Sequence, residues 1–389
     1  MWSFGVAVAL IAGIAMGSAG TNVMPVFIDD FASRAGLSGA GAGLVGAAQL
    51  TATAVVTLLL ASRAASPGRV AMARLGLALT AFAALWVALA GDPVTLLLTN
   101  LLLGAALGIV YAAATAALAA TEDSDRASAV AVAGTVVVAA LMIVAVPLVN
   151  EQWGGAGFLL LAVCCAPAWF LVGKLPESPA TATKAGRSTK AATSRPSAVL
   201  LIGTACLWTI TQGTWAYASV LGREHTGLDA TTVSLILAVS SVVALAGAVA
   251  GTPAARRFGR LRSMVVFVVV EAVAMAVVVI SDEPVLFTAA AVVWQACQLA
   301  VLVQMVAAAA VLDPSGRWVA SLSGASALGT GAGPLAVGLL LEHTGPEVLG
   351  VLFALGMVVA SLPLLRMTTA ADSRLAAGVP IPAGDASSQ

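Results

Sequence analysis

Apolar residues occur along this chain in twelve long runs that are separated by short polar segments. Each run reaches or approaches the ~20 residues that an α-helix needs to cross a lipid bilayer. The runs lack the short alternation of apolar and polar positions that is typical of a transmembrane β-barrel. They extend over residues 4–27, 39–62, 70–90, 94–118, 127–149, 156–173, 198–221, 231–252, 263–281, 285–312, 318–341 and 348–365. The pattern predicts an all-α membrane protein with twelve transmembrane helices.

The first run has an alternative interpretation as a cleaved signal peptide. No Lys or Arg precedes it, it is longer than the apolar part of a signal peptide, and eleven similar runs follow it. We therefore interpret residues 4–27 as the first transmembrane helix.

The Gly, Pro and charged residues between the apolar runs and at their ends repeat at a fixed offset of 191 positions. The matching pairs are Gly36 and Gly227, Gly68 and Gly259, Arg69 and Arg260, Pro93 and Pro284, Arg126 and Arg317, and Glu151 and Glu342. In a chain this apolar, such a period indicates two copies of one six-helix membrane bundle. Membrane proteins with that organisation are commonly transporters whose substrate site lies between the copies.

A long polar segment separates the two copies. Residues 174–197 are basic and rich in Pro, Ser and Thr, which is typical of a flexible linker. We predict an N-terminal bundle at 1–173, a cytoplasmic linker at 174–197, a C-terminal bundle at 198–366 and a disordered cytoplasmic tail at 367–389.

Composition and charge indicate a membrane location and an orientation in the membrane. The chain is 60% hydrophobic and only 9% charged, which excludes a soluble domain. With twelve crossings and a cytoplasmic N-terminus, all 18 Lys and Arg residues except Arg34 and Arg223 fall in cytoplasmic segments. Both termini are therefore expected in the cytoplasm.

The four cysteines lie inside helices and no N-x-S/T sequon occurs, which favours a prokaryotic plasma membrane.

The two linked bundles, both starting inside, resemble the major facilitator superfamily over almost the whole chain. The segment Arg257-Phe258-Gly259-Arg260 is similar to the loop signature G-x-x-x-D-R-x-G-R of that superfamily, and Gly68-Arg69 is its shorter first-half copy. The resemblance implies that these residues belong to a cytoplasmic gate. The signature Asp is replaced by Ala65 and Arg256, so the gate departs from the family pattern. Simple positive-inside charge is the alternative explanation.

Helix 4 carries a second departure from the family pattern. Asn100 stands where proton-driven members of the resembled family often carry the Arg of an R-x-x-Q-G motif, four residues before Gly104. The resemblance associates that Arg with proton coupling. Its absence weakens the interpretation as a proton antiporter.

Polar and aromatic residues follow one face of helix 7 and recur in helices 1, 4 and 10, the helices that line the central cavity in the resembled fold. Such groups are unfavourable against lipid, so they are expected to face protein or water. The candidate cavity residues are Thr21, Asn22, Asn100, Tyr111, Thr115, Trp208, Thr211, Gln212, Trp215, Trp294, Gln295 and Gln298. Alternatively, some of them only bond neighbouring helices, or anchor helix ends at the membrane interface.

Glu271 is the one ionisable residue well inside an apolar run. A charged carboxylate at that depth costs about 2.5–3.5 kcal/mol on insertion scales, so an intramembrane acid is a functional candidate by default. Glu271 is therefore a candidate proton carrier. The alternative is a structural hydrogen bond, because helix 9 is peripheral in the resembled fold.

These observations predict a secondary transporter of a small, neutral or amphipathic organic solute that works by alternating access, with export favoured. An uptake symporter or facilitator and a transport-inactive membrane sensor are the alternatives. An enzyme is not expected, because no metal-ligand cluster and no paired intramembrane acids occur. We expect a monomer in a lipid bilayer that binds a small-molecule substrate, with protons as a candidate coupling ion and no cofactor, metal or nucleic acid.

Overall fold

The computed structural model describes residues 3–121, 123–177, 196–313 and 316–376, and every regular element within them is helical. The elements are α1 (Phe4–Gly17), α2 (Ala19–Asn22), α3 (Met24–Ala35), α4 (Gly39–Ala64), α5 (Arg69–Leu89), α6 (Pro93–Ala119), α7 (Ser124–Asn150), α8 (Ala156–Leu171), a 3-10 turn (Val172–Lys174), α9 (Ala198–Thr226), α10 (Ala230–Phe258), α11 (Arg260–Ile280), α12 (Pro284–Leu312), α13 (Arg317–His343) and α14 (Pro346–Ala376). Eleven of the described helices are long and apolar enough to cross a membrane. The predicted all-α membrane fold is confirmed.

The first crossing differs from the single helix predicted over 4–27. It consists of α1, α2 and α3 and runs on to Ala35, with breaks at Ser18 and Val23, whose φ/ψ values are −96/3° and −99/2°. Pro25 contributes to the second break, because a proline has no N–H for a helical hydrogen bond. The crossing is therefore interrupted near mid-membrane.

The internal repeat reappears in the backbone. Gly36 and Gly227 both have positive φ, at 59° and 68°, and so do Gly68 and Gly259, at 107° and 86°. L-residues with a side chain rarely adopt positive φ, so glycine is needed at the same positions in both halves. Gly36 and Gly227 form the same left-handed turn, whereas Gly68 and Gly259 differ in ψ, at 14° and 148°. Helices that match at the 191-residue offset begin together, as α4 and α10 do, or α6 and α12.

The C-terminal end is more ordered than predicted. The tail was expected to begin at residue 367, but α14 continues to Ala376. Arg374 donates from Nη1 to the carbonyl of Leu312 at 2.6 Å, and Arg260 lies 3.6 Å from the carboxylate of Asp372. These contacts attach the helical extension to its own bundle. Most of the predicted linker and the rest of the tail lie outside the described residues.

Helices α1–α8 form one bundle and α9–α14 form the other, and they meet mainly where α4 packs on α13, α7 on α10 and α3 on α9. We call the end where α1 begins the basic end, because Arg63, Arg69, Arg256 and Arg317 lie there, and the end where α3 finishes the far end. Large apolar side chains remain exposed on the outer surface, such as Leu59, Phe170 and Val249. Such a surface suits lipid rather than water.

Candidate substrate cavity

A cavity of about 350 Å³ lies between the two bundles. Helices α1, α2, α6 and α7 contribute one side and α9, α10 and α12 the other. The lining residues are Ile14, Ser18, Asn22, Tyr111, Val132, Thr135, Val136, Ala139, Trp208, Gln212, Trp215, Ser241, Ala244, Gln295, Gln298, Leu299 and Leu302. A position between repeat-related bundles is where transporters of this organisation bind substrate.

Helix α9 presents Trp208, Gln212 and Trp215 to the cavity, one helical turn apart. This spacing places them on one face, as the sequence pattern predicts. Thr211 is buried on a neighbouring face, where its hydroxyl donates to the Leu207 carbonyl at 3.1 Å. The helix therefore offers two indoles and one amide to the cavity.

Helix α12 presents Gln295 and Gln298 to the cavity. Trp294 is fully buried behind the lining, where its ring meets Trp215 edge-on with centroids 6.2 Å apart. Edge-to-face packing of this kind is favourable and fixes ring orientation. Trp294 thus supports a lining residue instead of lining the cavity itself.

The other bundle contributes fewer polar groups. Asn22 lines the cavity and donates from Nδ2 to the Ser18 hydroxyl at 3.0 Å, and Tyr111 lies beside them. Thr115 and Asn100 bond carbonyls of their own helix at 2.8 Å each, and neither they nor Thr21 is part of the lining. The structure thus brings together seven of the twelve candidates: Asn22, Tyr111, Trp208, Gln212, Trp215, Gln295 and Gln298.

Helices α7 and α10 supply lining residues that the sequence interpretation missed. The missed residues on these helices are Val132, Thr135, Val136, Ala139, Ser241 and Ala244. Thr135 and Ser241 were the only polar signals among them. A hydroxyl in an apolar helix is ambiguous, because it readily bonds its own backbone, as Ser241 does to Leu237 at 2.9 Å.

The cavity lining carries no Asp, Glu, Lys, Arg or His among the residues that the structure describes. Its polar groups are amides, hydroxyls and indole N–H groups. An anionic or cationic solute would lose its hydration there without meeting an opposite charge, which is strongly unfavourable. The described lining therefore offers no countercharge to a charged solute.

The far end is closed by polar contacts that join the two bundles. They are Arg223 Nη1 to Asp29 Oδ2 at 3.0 Å, Ala40 N to Glu342 Oε1 at 2.7 Å, Thr231 Oγ1 to Glu151 Oε1 at 3.3 Å, and the Tyr217 hydroxyl to the Gly39 carbonyl. Near the basic end, by contrast, α1 packs on α6, α7 and α8 of its own bundle. The lining residues of the cavity lie between these far-end contacts and the basic end.

At the basic end, the Gly68-Arg69 turn is bound by Glu177 from the end of the first bundle. The carboxylate accepts from the backbone N–H groups of Gly68, Arg69 and Val70, the last at 2.7 Å. Burial raises the pKa of Glu177, but these donors and the Arg69 guanidinium outweigh it and hold the pKa below its usual value. Glu177 thus supplies an acid to a turn in which the signature Asp is Ala65.

Arg69 itself is fully buried and ties the turn together. It donates to the carbonyls of Ala64, Ala65 and Pro176 at 2.7–2.9 Å. In the second copy, Arg260 of the Gly259-Arg260 turn faces Asp372 instead, and the guanidinium of the exposed Arg257 lies 5.4 Å from the Phe258 ring centroid. These contacts lie within single bundles.

Glu271 lies in α11, away from the cavity lining, and its side chain is buried. Its Oε2 has no hydrogen-bond partner among the described residues, and the nearby thiol of Cys297 in α12 is close enough to interact with it electrostatically. In the described part of the chain, Oε2 therefore does not make the alternative structural hydrogen bond.

Comparisons with known proteins agree with this geometry. The family model described as Major Facilitator Superfamily matches residues 200–383. Among solved structures, the chain is similar to the nucleoside transporter NupG, with TM-score 0.74, 14% identity, and 94% of this chain and 99% of that chain covered. It is also similar to the peptide transporter POT, solved with sulfate, with TM-score 0.73, 11% identity, and 95% and 94% covered. A sequence comparison with curated proteins gives no match.

A third similar structure is a bacterial homolog of the human lysosomal transporter Spinster in an inward-facing, unoccupied conformation, with TM-score 0.66, 16% identity, and 95% of both chains covered. Two six-helix bundles around a central cavity define the class as a membrane transporter fold. The predicted resemblance to the major facilitator superfamily is confirmed, and the chain has the fold of that superfamily.

Proposed function

We propose that this protein is a secondary transporter that moves a small, uncharged or amphipathic organic solute by alternating access. The observation that carries the proposal is an uncharged cavity between two repeat-related bundles that are joined at the far end. Rocking of the bundles would separate the far-end contacts and close the basic end around the same site.

The positive-inside rule supports placing the basic end in the cytoplasm. Both termini are then cytoplasmic, and the conformation with a closed far end is the inward-open one. We further propose that the protein acts as a monomer in a prokaryotic plasma membrane. Opening of the far end is needed to complete a transport cycle.

The similar structures include a nucleoside transporter and a peptide transporter, so the fold accommodates organic solutes of several kinds. The absence of a lysine or arginine from the described lining argues against phosphate esters and dicarboxylates, which need a countercharge. An amphipathic lining also suits a solute that reaches the cavity from the inner side of the membrane. We propose export as the direction, with an uptake symporter or facilitator as the alternative.

Glu271 is the proposed coupling residue, because a buried carboxyl without a hydrogen-bond partner is able to exchange a proton when the helices around it move. Asn100, at the position of the motif arginine, makes only a bond within its own helix, which favours a coupling route that does not pass through helix α6. The proton would therefore be carried between α11 and α12.

Ligand screening followed by flux tests the proposal. Compounds that raise the melting temperature of the purified protein are loaded into proteoliposomes, and counterflow of each is measured with and without a pH gradient. We expect saturable counterflow of at least one uncharged compound. Tight, saturable transport of a polyanion would contradict the proposed substrate class, and binding without any counterflow would favour the membrane-sensor alternative.

A further inference from the structure

The cavity combines two kinds of surface that together define a narrower class of ligand. The first consists of aromatic side chains. Trp208 and Trp215 are more than nine-tenths buried and still reach the lining, and Tyr111 stands on the opposite bundle. Trp215 is held in place by the edge of Trp294. Rigid aromatic faces on both sides of a cavity favour a flat ligand that stacks on them.

The second surface consists of unused hydrogen-bonding groups. The carboxamides of Gln212, Gln295 and Gln298 are partly exposed to the cavity, and none bonds another group in the described part of the chain. The Thr135 hydroxyl, on a side chain 8% exposed, also has no partner among the described residues. Each carboxamide places a donor and an acceptor side by side in one plane. Such a pair matches a ligand edge with an adjacent acceptor and donor.

The remaining lining disfavours two other kinds of uncharged ligand. Seven aliphatic side chains face the cavity: Ile14, Val132, Val136, Ala139, Ala244, Leu299 and Leu302. A sugar would press several hydroxyls against this surface without hydrogen bonds, which is unfavourable. A purely apolar ligand would instead leave the three carboxamides desolvated and unpaired. A volume of about 350 Å³ is near the lower limit for ligand pockets and suits one or two fused rings.

We propose that the cavity binds an uncharged heteroaromatic ring that carries a hydrogen-bond donor beside an acceptor on one edge, as a purine or pyrimidine base does. The ring stacks between the aromatic faces of the two bundles, and the carboxamides of α9 and α12 bind its edge. This inference rests on the proposed function, because it names the solute class of the same cavity.

Binding is tested first on the unmodified protein. Adenine, hypoxanthine, uracil and cytosine are titrated, and the melting temperature and the tryptophan fluorescence are recorded. Galactose tests a polyhydroxyl ligand, indole a flat ring without the paired edge, and orotate a pyrimidine with an added charge. We expect at least one base to bind saturably and more tightly than all three controls. Absence of base binding at about 1 mM, or binding of galactose or orotate as tight as the best base, would overturn the proposal.

Variants test which groups bind the edge. Gln295→Leu and Gln298→Leu each remove one carboxamide from the cavity, and Gln152→Leu removes an exposed carboxamide at the far end as a matched control. We expect one of the cavity variants to weaken base binding by about 5- to 160-fold, the factor that ~1–3 kcal/mol per bidentate pair gives, and the control to leave it unchanged. Wild-type affinity in both cavity variants would overturn the proposed edge recognition by α12. The ligand panel on the unmodified protein decides the ligand class even if a variant does not fold.

Flux separates this inference from the proposed function. Binding of a base without its counterflow would contradict transport and leave the ligand class standing. Counterflow of a sugar without binding of any base would support transport and overturn the ligand class.

Discussion

Arg223 of α9 donates from Nη1 to a carboxylate oxygen of Asp29 in α3 at 3.0 Å, and this ion pair joins the two bundles at the far end. The carboxylate side chain is 17% exposed, whereas that of the arginine is 39% exposed. Removal of the arginine therefore leaves a mostly buried carboxylate without its partner, which is less favourable than removal of both charges. Of the far-end contacts described above, this pair is the one between two opposite charges.

Arg223→Ala is expected to shift the protein toward a conformation that is open at the far end. The shift should be on the order of 1 kcal/mol, about fivefold in population, because the pair is partly solvated. Spin labels on exposed Ser33 and Glu224, in a background without the native cysteines, report the separation of the bundles. Arg256→Ala at the basic end is the control. Adding Asp29→Asn to Arg223→Ala should restore part of the population that is closed at the far end. An unchanged distance distribution in Arg223→Ala alone would refute the role of the pair.

Tyr217 fits between two glycines at the same closure. Its hydroxyl donates to the Gly39 carbonyl, and a methyl group on Gly338 would overlap that hydroxyl and lie 2.6 Å from the Gly39 oxygen. Gly338→Ala is expected to destabilise the closed far end by about 1–3 kcal/mol, the usual cost of overpacking. Gly324→Ala in the same helix meets open space and serves as the control. The same spin-label distances check this prediction, which fails if the two alanine variants behave alike.

The Glu177 carboxylate, which binds the Gly68-Arg69 turn, should make the stability of the protein depend on pH. The pKa of Glu177 is lowered in the folded protein, so its contribution to stability is present above the unfolded pKa, about 4.5, and is lost as the pH falls through the folded value. Glu177→Gln keeps the shape of the side chain but removes the charge. The melting temperature of the variant is expected to be lower than wild type at pH 7, with a difference that shrinks below about pH 4.5. A difference that is constant with pH would show that the charge is not involved.

Glu271→Gln is the test of proton coupling. A glutamine preserves size and polarity but cannot release or bind a proton in this range. We expect the variant to retain downhill counterflow and to lose accumulation driven by a pH gradient. Glu347→Gln, an exposed residue at the far end, should leave both activities intact. Full gradient-driven accumulation in Glu271→Gln would show that this residue is not the proton carrier.

The sequence could predict the helices and their repeat because local residues determine them. Glycines with positive φ, such as Gly68 and Gly259, and capping acids, such as Asp92 and Glu283, act within a single turn. The break at Ser18 was not predicted, because a pair such as Gly17-Ser18 is only a weak signal of a kink in a chain with 38 glycines. The contribution of α7 and α10 to the cavity also escaped prediction, because it depends on how the two bundles dock.

One asymmetry of the repeat is explained only by packing. Gly104 of α6 corresponds to Gln295 of α12 at the 191-residue offset. In the first bundle, Gly104 is the close-contact residue and lies against the carbonyl of Gln49. In the second bundle the close contact is made by the partner helix, where Gly247 of α10 lies against the carbonyl of Ala296. Position 295 is thereby free to carry a cavity amide.

Gly247→Ala tests this division of roles. The added methyl group would overlap the Ala296 carbonyl, and backbone cannot move aside as a flexible side chain can. The α10 and α12 helices would have to separate, which displaces the neighbouring Gln295 from the cavity. We expect a lower melting temperature, consistent with overpacking costs of about 1–3 kcal/mol, together with weaker ligand binding. Gly251→Ala, one turn along the same helix, meets its nearest atom, the Ala300 oxygen, only at 3.3 Å and should have a smaller effect. Equal losses in the two variants would mean that Gly247 is not the contact that positions α12.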